Sequence, residues 1–283
     1  MKTTWAGLFL VLVASILIGG CGGDGDGSGT LTIGIADAKP SLPVDALHVY
    51  VTFDEVRVHK AGGSWESLPL PETPYTIDLL QFSDGATTHL VPPVELEAGK
   101  YTQIRFGVTE GRIEVASGPD IPLTVPSGFL KTDKDFDFDV EGGGAVDLTV
   151  HFDLSQSIVA QGNGQYHLKP VLHLQETQAA AKIQGSIAAS SFGGLAEAVV
   201  TVEFQSEQYT RVVVEKPELT DRVPFTIFWL VPNQAYSVEV EVEGFAPYEE
   251  DVEASDLGSG QTFILNGGEP ITLSPWGAEG QMT

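Results

Sequence analysis

The stretch Ala145-Val146-Asp147-Leu148-Thr149-Val150-His151-Phe152-Asp153-Leu154 alternates apolar and polar side chains without a break. Successive side chains of a β-strand point to opposite faces of the sheet. Val146, Leu148, Val150, Phe152 and Leu154 therefore share one face, and Asp147, Thr149, His151 and Asp153 share the other. An α-helix would scatter the same apolar residues around its circumference. The period of two predicts a strand with its apolar face in a core.

The same period recurs on both sides of this stretch. Leu47, Val49, Val51 and Phe53 lie opposite His48, Tyr50, Thr52 and Asp54. Ile104, Phe106 and Val108 lie opposite Gln103 and Arg105. Gly62-Gly63 turns the chain before a strand around Trp65, and Asn163-Gly164 turns it into a strand over 166–175. No long stretch carries a helical period. Roughly nine short strands separated by Gly, Pro and Asp turns across residues 30–176 predict a sandwich or partly open barrel.

Glu176 to Lys182 (ETQAAAK) has no strand signal, so residues 177–182 are read as a linker. A second alternating set follows it. Ala198, Val200 and Val202 lead into Phe204, and Phe225, Ile227 and Trp229 precede Pro232-Asn233. Val238, Val240 and Val242 alternate with Glu239, Glu241 and Glu243. The expected architecture is all-β: two tandem β-sandwich domains, at 30–176 and 183–275, with 276–283 as a loose tail.

The start of the chain is different in kind. Lys2 is followed by an uncharged run from Trp5 to Ile18, too short for a membrane span of about 20 apolar residues. Residues 1–20 fit a secretory signal peptide. The run ends Leu17-Ile18-Gly19-Gly20-Cys21, which resembles the lipobox of bacterial lipoproteins. The resemblance implies cleavage between Gly20 and Cys21 and a covalent lipid on Cys21, which anchors the chain to a bilayer. Cys21 is the only cysteine, so the chain has no intrachain disulfide. Residues 22–29 (GGDGDGSG) complete a Gly-rich tether over 21–29 with a reach of roughly 16 Å. Asp24, Asp26, Ser28 and Gly29 imitate the opening of a calcium loop, but Ile35 stands where that loop needs a bidentate Glu. Gly22 is not the Asp that retains some lipoproteins at an inner membrane, which favours the outer membrane or cell surface.

The formal net charge is −25. It is spread evenly, with 21 acidic and 9 basic residues in 30–176 and 16 and 4 in 182–283. Such a surface repels phosphates, so nucleic acid is excluded as a partner. Motifs of hydrolases and phosphate-binding loops are missing: Gly99-Lys100 has Val94 where a phosphate loop needs glycine, and Tyr101 in place of Ser or Thr.

Two groups of residues are candidates for metal chemistry. His151, His167 and His173 fall on predicted strands, on faces opposite the apolar ones, and two of them with Asp153 would make a partial ligand set. Isolated surface histidines are the commoner outcome, and no ligands are assigned. Asp133, Asp135, Asp137 and Asp139 share one strand face at spacings of roughly 6.5–7 Å, with Phe136, Phe138 and Val140 facing the core. Calcium needs six to eight oxygens, which one straight strand does not bring together. The preferred reading is a solvated face partly neutralised by Lys131 and Lys134, with no metal or cofactor. The Glu239, Glu241 and Glu243 ladder is read in the same way.

Gly29-Thr30-Leu31-Thr32-Ile33 running into Ala36-Asp37-Ala38, Val51-Thr52-Phe53, Ile77-Asp78-Leu79-Leu80, residues 98–105 (AGKYTQIR) and Leu168-Lys169-Pro170-Val171 come in an order that resembles a known family. It is a domain of unknown function found in many prokaryotic lipoproteins, and the resemblance spans about residues 29–175. Lys39 departs from it, since the family usually has Pro directly after Asp-Ala. The family carries no established activity. Residues 183–275 resemble the carboxypeptidase regulatory-like (prealbumin-like) sandwich through residues 183–187 (IQGSI), the strand over 198–204, and Leu230 to Val242 followed by Gly244-Phe245. That resemblance implies a spacer or binding accessory without catalysis.

These readings together predict a membrane-anchored, non-catalytic binding or structural module at the cell envelope, with a protein or glycan partner. An accessory enzyme acting on envelope polymers and a subunit of an extracellular fibre or adhesin are the alternatives.

Overall fold

The computed structural model describes residues 27–37, 40, 42–125, 129–131, 136–162 and 164–276. Gly20, Cys21, Lys39, Asp133, Lys134, Asp135, Asn163 and residues 277–283 lie outside them. The chain is all-β. Its first strands are β1 (Ser28–Ala36), β2 (Ala46–Lys60), β3 (Trp65–Leu68), β4 (Tyr75–Asp78), β5 (Thr88–Glu97) and β6 (Gly99–Val115). They are followed by β7 (Ile121–Thr124), β8 (Phe129–Lys131), β9 (Phe138–Val140), β10 (Ala145–Phe152), β11 (Ile158–Ala160), β12 (Tyr166–Leu168) and β13 (Leu172–Glu176).

These strands make two sheets. One has the order β13-β10-β1-β5, with β1 parallel to β10 and antiparallel to β5. The other runs β11-β12-β7-β6-β2-β3, with β4 on β2 and both β8 and β9 on β6. Leu31, Ile33 and Ile35 of β1 join Leu148, Val150 and Phe152 of β10 in one core with Val49, Val51 and Phe53 of β2 and Ile104 and Phe106 of β6. The strands outnumber the expected nine because short edge segments such as β8 and β11 hold too few residues to show alternation.

Bulges explain where simple alternation fails. In β2 the register shifts between Phe53 and Glu55, and the inward face moves from Val49, Val51 and Phe53 to Val56 and Val58. Leu47, expected inside, falls at another shift between Ala46 and His48 and is 51% exposed. β1 takes in Ser28 and Gly29, the last two residues expected of the tether. Gly29 has a steric reason to be glycine, since a Cβ there would lie 2.4 Å from the Glu141 carbonyl oxygen.

The remaining strands are β14 (Ala181–Ala188), β15 (Glu197–Phe204), β16 (Glu207–Glu215), β17 (Arg222–Leu230), β18 (Tyr236–Glu241), β19 (Tyr248–Val252) and β20 (Thr262–Ile264). They form sheets ordered β17-β14-β20 and β16-β15-β18-β19. Ile183, Ile187, Phe225 and Ile227 pack against Val200, Val202, Val238 and Val240 in a second core.

Only Thr177 to Ala180 separate β13 from β14, and this stretch is tied down. The Thr177 amide donates to the Asp147 carbonyl at 2.9 Å, and the Ala179 and Ala180 amides donate to the Glu176 carbonyl. Ala180 and Ala181 are buried. No helix among the described residues is long and apolar enough to cross a membrane.

Candidate functional site

The polar side of β10, opposite its core face, is not solvated. Thr149, His151 and Asp153 are all buried, and so is Gln175 on the neighbouring β13. The cover comes from the second set of strands. Ala36 and Ala180 enclose Trp229 of β17, with Phe228 against them. Trp229 has φ 63°, a left-handed conformation rare for so large a side chain. Its carbonyl accepts a hydrogen bond of 3.1 Å from the Tyr209 hydroxyl.

Antiparallel pairing sets His151 of β10 directly opposite His173 of β13, with ring centroids 5.8 Å apart. The His173 ring in turn stacks on Tyr209 of β16, at 4.1 Å and 22°. A line of rings thus runs from one core to the edge of the other. Beside it, Asp153 caps the single-turn helix α1 (Leu154–Ser157) by accepting from the Gln156 amide at 3.1 Å. The Gln156 side chain donates both to Asp153 and to the Tyr209 carbonyl, each at 2.9 Å. Asp37, at the end of β1, accepts from the Leu154 amide at 3.3 Å. A further backbone bridge joins Pro40 to Val212.

His151 is fully buried, and neither ring nitrogen has a hydrogen-bond partner among the described residues. Burial penalises the charged ring and pushes its pKa down to about 4. The Asp153 carboxylate pulls the other way, and His173 adds to the depression. At neutral pH the ring is uncharged. Gln175, Thr210 Oγ1 and Trp229 Nε1 are other buried polar groups here without a hydrogen-bond partner among the described residues.

The expectation of isolated surface histidines therefore fails for His151 and His173, because the second set of strands covers their face. His167 is set apart from them on β12 in the other sheet, opposite Val159. Among the described residues, no three His, Cys, Asp or Glu side chains approach closely enough to hold a metal ion. What this site offers chemically is a buried joint built on aromatic rings, with the His151 ring uncharged at neutral pH. The sequence marks Trp229 only as one residue of a strand face and gives no signal for Tyr209 or Gln156, since their roles depend on which faces meet across some 60 residues.

The acidic ladder is split. Asp133 and Asp135 fall outside the described residues, whereas Asp137 and Asp139 are exposed. Phe138 and Val140 face the core as expected, with Phe136 packed against it. Among the described residues Lys100 is a counter-cation, its ammonium 2.8 Å from Asp137 and its pKa raised by Asp137 and then by Asp139. On the second set of strands, the Glu239 pKa is raised by burial and by the like charges of Glu241, Glu249 and Glu203, with Arg211 opposing.

A family described as "Domain of unknown function (DUF4382)" matches residues 28–170. No curated protein matches the chain. Among solved structures, the chain is similar at 10% identity to the Bacillus anthracis TIE protein, with a TM-score of 0.23, over 88% of this chain and 34% of that one. It thus spans about a third of the TIE protein's length. It is also similar at 10% identity to the tip fimbrial protein Mfa3 from Porphyromonas gingivalis with C-terminal truncation, with a TM-score of 0.18, over 80% of this chain and 81% of that one.

Proposed function

The chain belongs to the DUF4382 family, and we propose that it is a lipid-anchored, non-catalytic module that holds a binding surface at a fixed geometry on the cell envelope. The observation that carries this reading is the buried joint of His151, His173, Tyr209 and Trp229. Two cores connected by four residues and sharing a buried interface turn as one body. A flexible string of modules would lack both. In this reading residues 30–176 and 183–275 are two tandem sandwiches, the second of carboxypeptidase regulatory-like type. Lipid on Cys21 holds them on the outer membrane or cell surface, and the partner is a protein or glycan.

Two measurements test it. Mass spectrometry of the chain from its own cells should find a diacylglyceryl adduct on Cys21, and Cys21→Ala should leave an unprocessed precursor. Spin labels at the exposed positions 66 and 218, introduced as Glu66→Cys and Glu218→Cys in a Cys21→Ala background, should give one narrow distance distribution. A broad distribution would remove the fixed geometry. An unmodified N-terminus at another residue would remove the anchor.

A further inference from the structure

The outward face of the β16-β15-β18-β19 sheet ends in a groove of about 610 Å3. This lies within the roughly 300–1,000 Å3 typical of ligand pockets. Its rim carries Trp276, which is 68% exposed, and Leu195, which is 40% exposed. Large apolar side chains left in water at the edge of one groove are the kind of exception that calls for a cause. Trp276 is not held there by chance packing. Its amide donates to the Gly244 carbonyl at 3.1 Å, the Ala246 amide donates to Ser274, and Pro275 bridges Phe245.

Phe245 lines the groove and is itself seated on Gly193. Gly193 has φ 56°, and a Cβ there would stand 2.7 Å from the Phe245 ring, so only glycine permits both the turn and the contact. The polar lining is mixed in sign. Arg211 supplies a guanidinium whose Nε is covered and has no hydrogen-bond partner among the described residues. Glu241 and Glu243 supply exposed carboxylates.

We propose that this groove binds a neutral glycan, with Trp276 stacking on a sugar ring and Arg211, Glu241 and Glu243 hydrogen-bonding its hydroxyls. A sugar ring has an apolar C–H face that packs on an indole, and its hydroxyls both donate and accept. Carboxylates take the donated bonds, and the guanidinium returns them in a fixed plane. An anionic glycan or phosphate would meet Glu241 and Glu243 within a Debye length, in a chain of net charge −25. An extended peptide would dock on a strand edge, where backbone groups are free. This groove lies on a sheet face.

The inference rests on the reading of the chain as a binding module, and is independent of the anchor and of the joint. The test titrates the full chain, by calorimetry and tryptophan fluorescence, with cellohexaose, maltohexaose, mannohexaose and chitohexaose. At least one should bind and perturb the fluorescence. Trp276→Ala should weaken that binding at least tenfold, Trp276→Phe should restore most of it, and Arg211→Gln should weaken it severalfold. Trp65→Ala, on the other set of strands, should leave it unchanged. No binding of any of the four overturns the proposal. Binding that survives Trp276→Ala in a folded variant also overturns it, while leaving a binding module with its site elsewhere.

Discussion

The ring of His173 lies flat on the ring of Tyr209, with centroids 4.1 Å apart, although 36 positions separate them in the chain. Tyr209 belongs to the second core and His173 to a strand whose next residue, Leu174, belongs to the first. Truncating a buried aromatic to alanine costs about 3–5 kcal/mol. Tyr209→Ala should therefore destabilise the chain by that order in urea unfolding followed by tryptophan fluorescence. Tyr209→Phe, which loses the hydroxyl bond to the Trp229 carbonyl and keeps the ring, should cost about 1 kcal/mol. A Tyr209→Ala chain as stable as the unsubstituted one would mean that the stack does not hold the halves together.

Acid should loosen the same joint. The folded-state pKa of His151 is about 4, below its ordinary 6.5. As pH falls below 6.5 the unfolded chain takes up the proton first, so stability is complete above 6.5 and declines until about 4. The loss from this group is roughly 3 kcal/mol. Urea midpoints measured across this window should fall with pH, and His151→Phe should flatten that fall. An unchanged slope in the variant would assign the acid sensitivity to other groups.

The steric argument at β1 gives a paired test. Gly29→Ala would drive a methyl group into the Glu141 carbonyl oxygen, with Val140 Cγ1 at 2.7 Å, and should cost about 1–3 kcal/mol. Gly34→Ala, on the same strand, meets nothing closer than 3.6 Å and should be tolerated. Thermal melts of the two variants should separate clearly. Equal melts would show that the Gly29 contact relaxes at no cost.

The stretch from Thr177 to Ala180 should resist proteolysis. The Thr177, Ala179 and Ala180 amides are bonded, Ala180 is buried, and Thr177 Oγ1 lies 2.9 Å from Thr149 Oγ1. Brief digestion with a broad-specificity protease should cut elsewhere first. Early cleavage between Thr177 and Ala180 would mean that the joint opens in solution.

Strand faces were the legible part of this chain. Val146 to Leu154, Val200 to Phe204 and Val238 to Val242 announce themselves because one face of each strand meets a core formed within its own half. Leu47 misled for a local reason, since a bulge reverses facing without changing the alternation that precedes it. The joint was illegible for a different reason. Thr149, His151 and Asp153 have the composition of a solvated face, and what covers that face, from Thr177 at Thr149 to Tyr209 beside His173 and Gln156, lies 28 or more positions further along the chain. Period analysis reports which side chains share a face, and is silent on what that face meets. Trp276 carries no signal in a stretch that reads as a loose tail, and its bond to Gly244 exists only once the residues after β20 return to the turn that follows β18.

The position of β1 bears on how the chain responds to being pulled. It begins at Ser28 and lies between β10 and β5, with neighbours along most of its length on both sides. Tension arriving from the residues before Ser28 runs along the strand axis and across both hydrogen-bond ladders. Bonds loaded in that direction share the force and fail together, whereas a strand peeled from a sheet edge gives way one bond at a time. If the chain is held at Cys21 as proposed, load drawn along β1 enters the sheet at an interior strand instead of an edge.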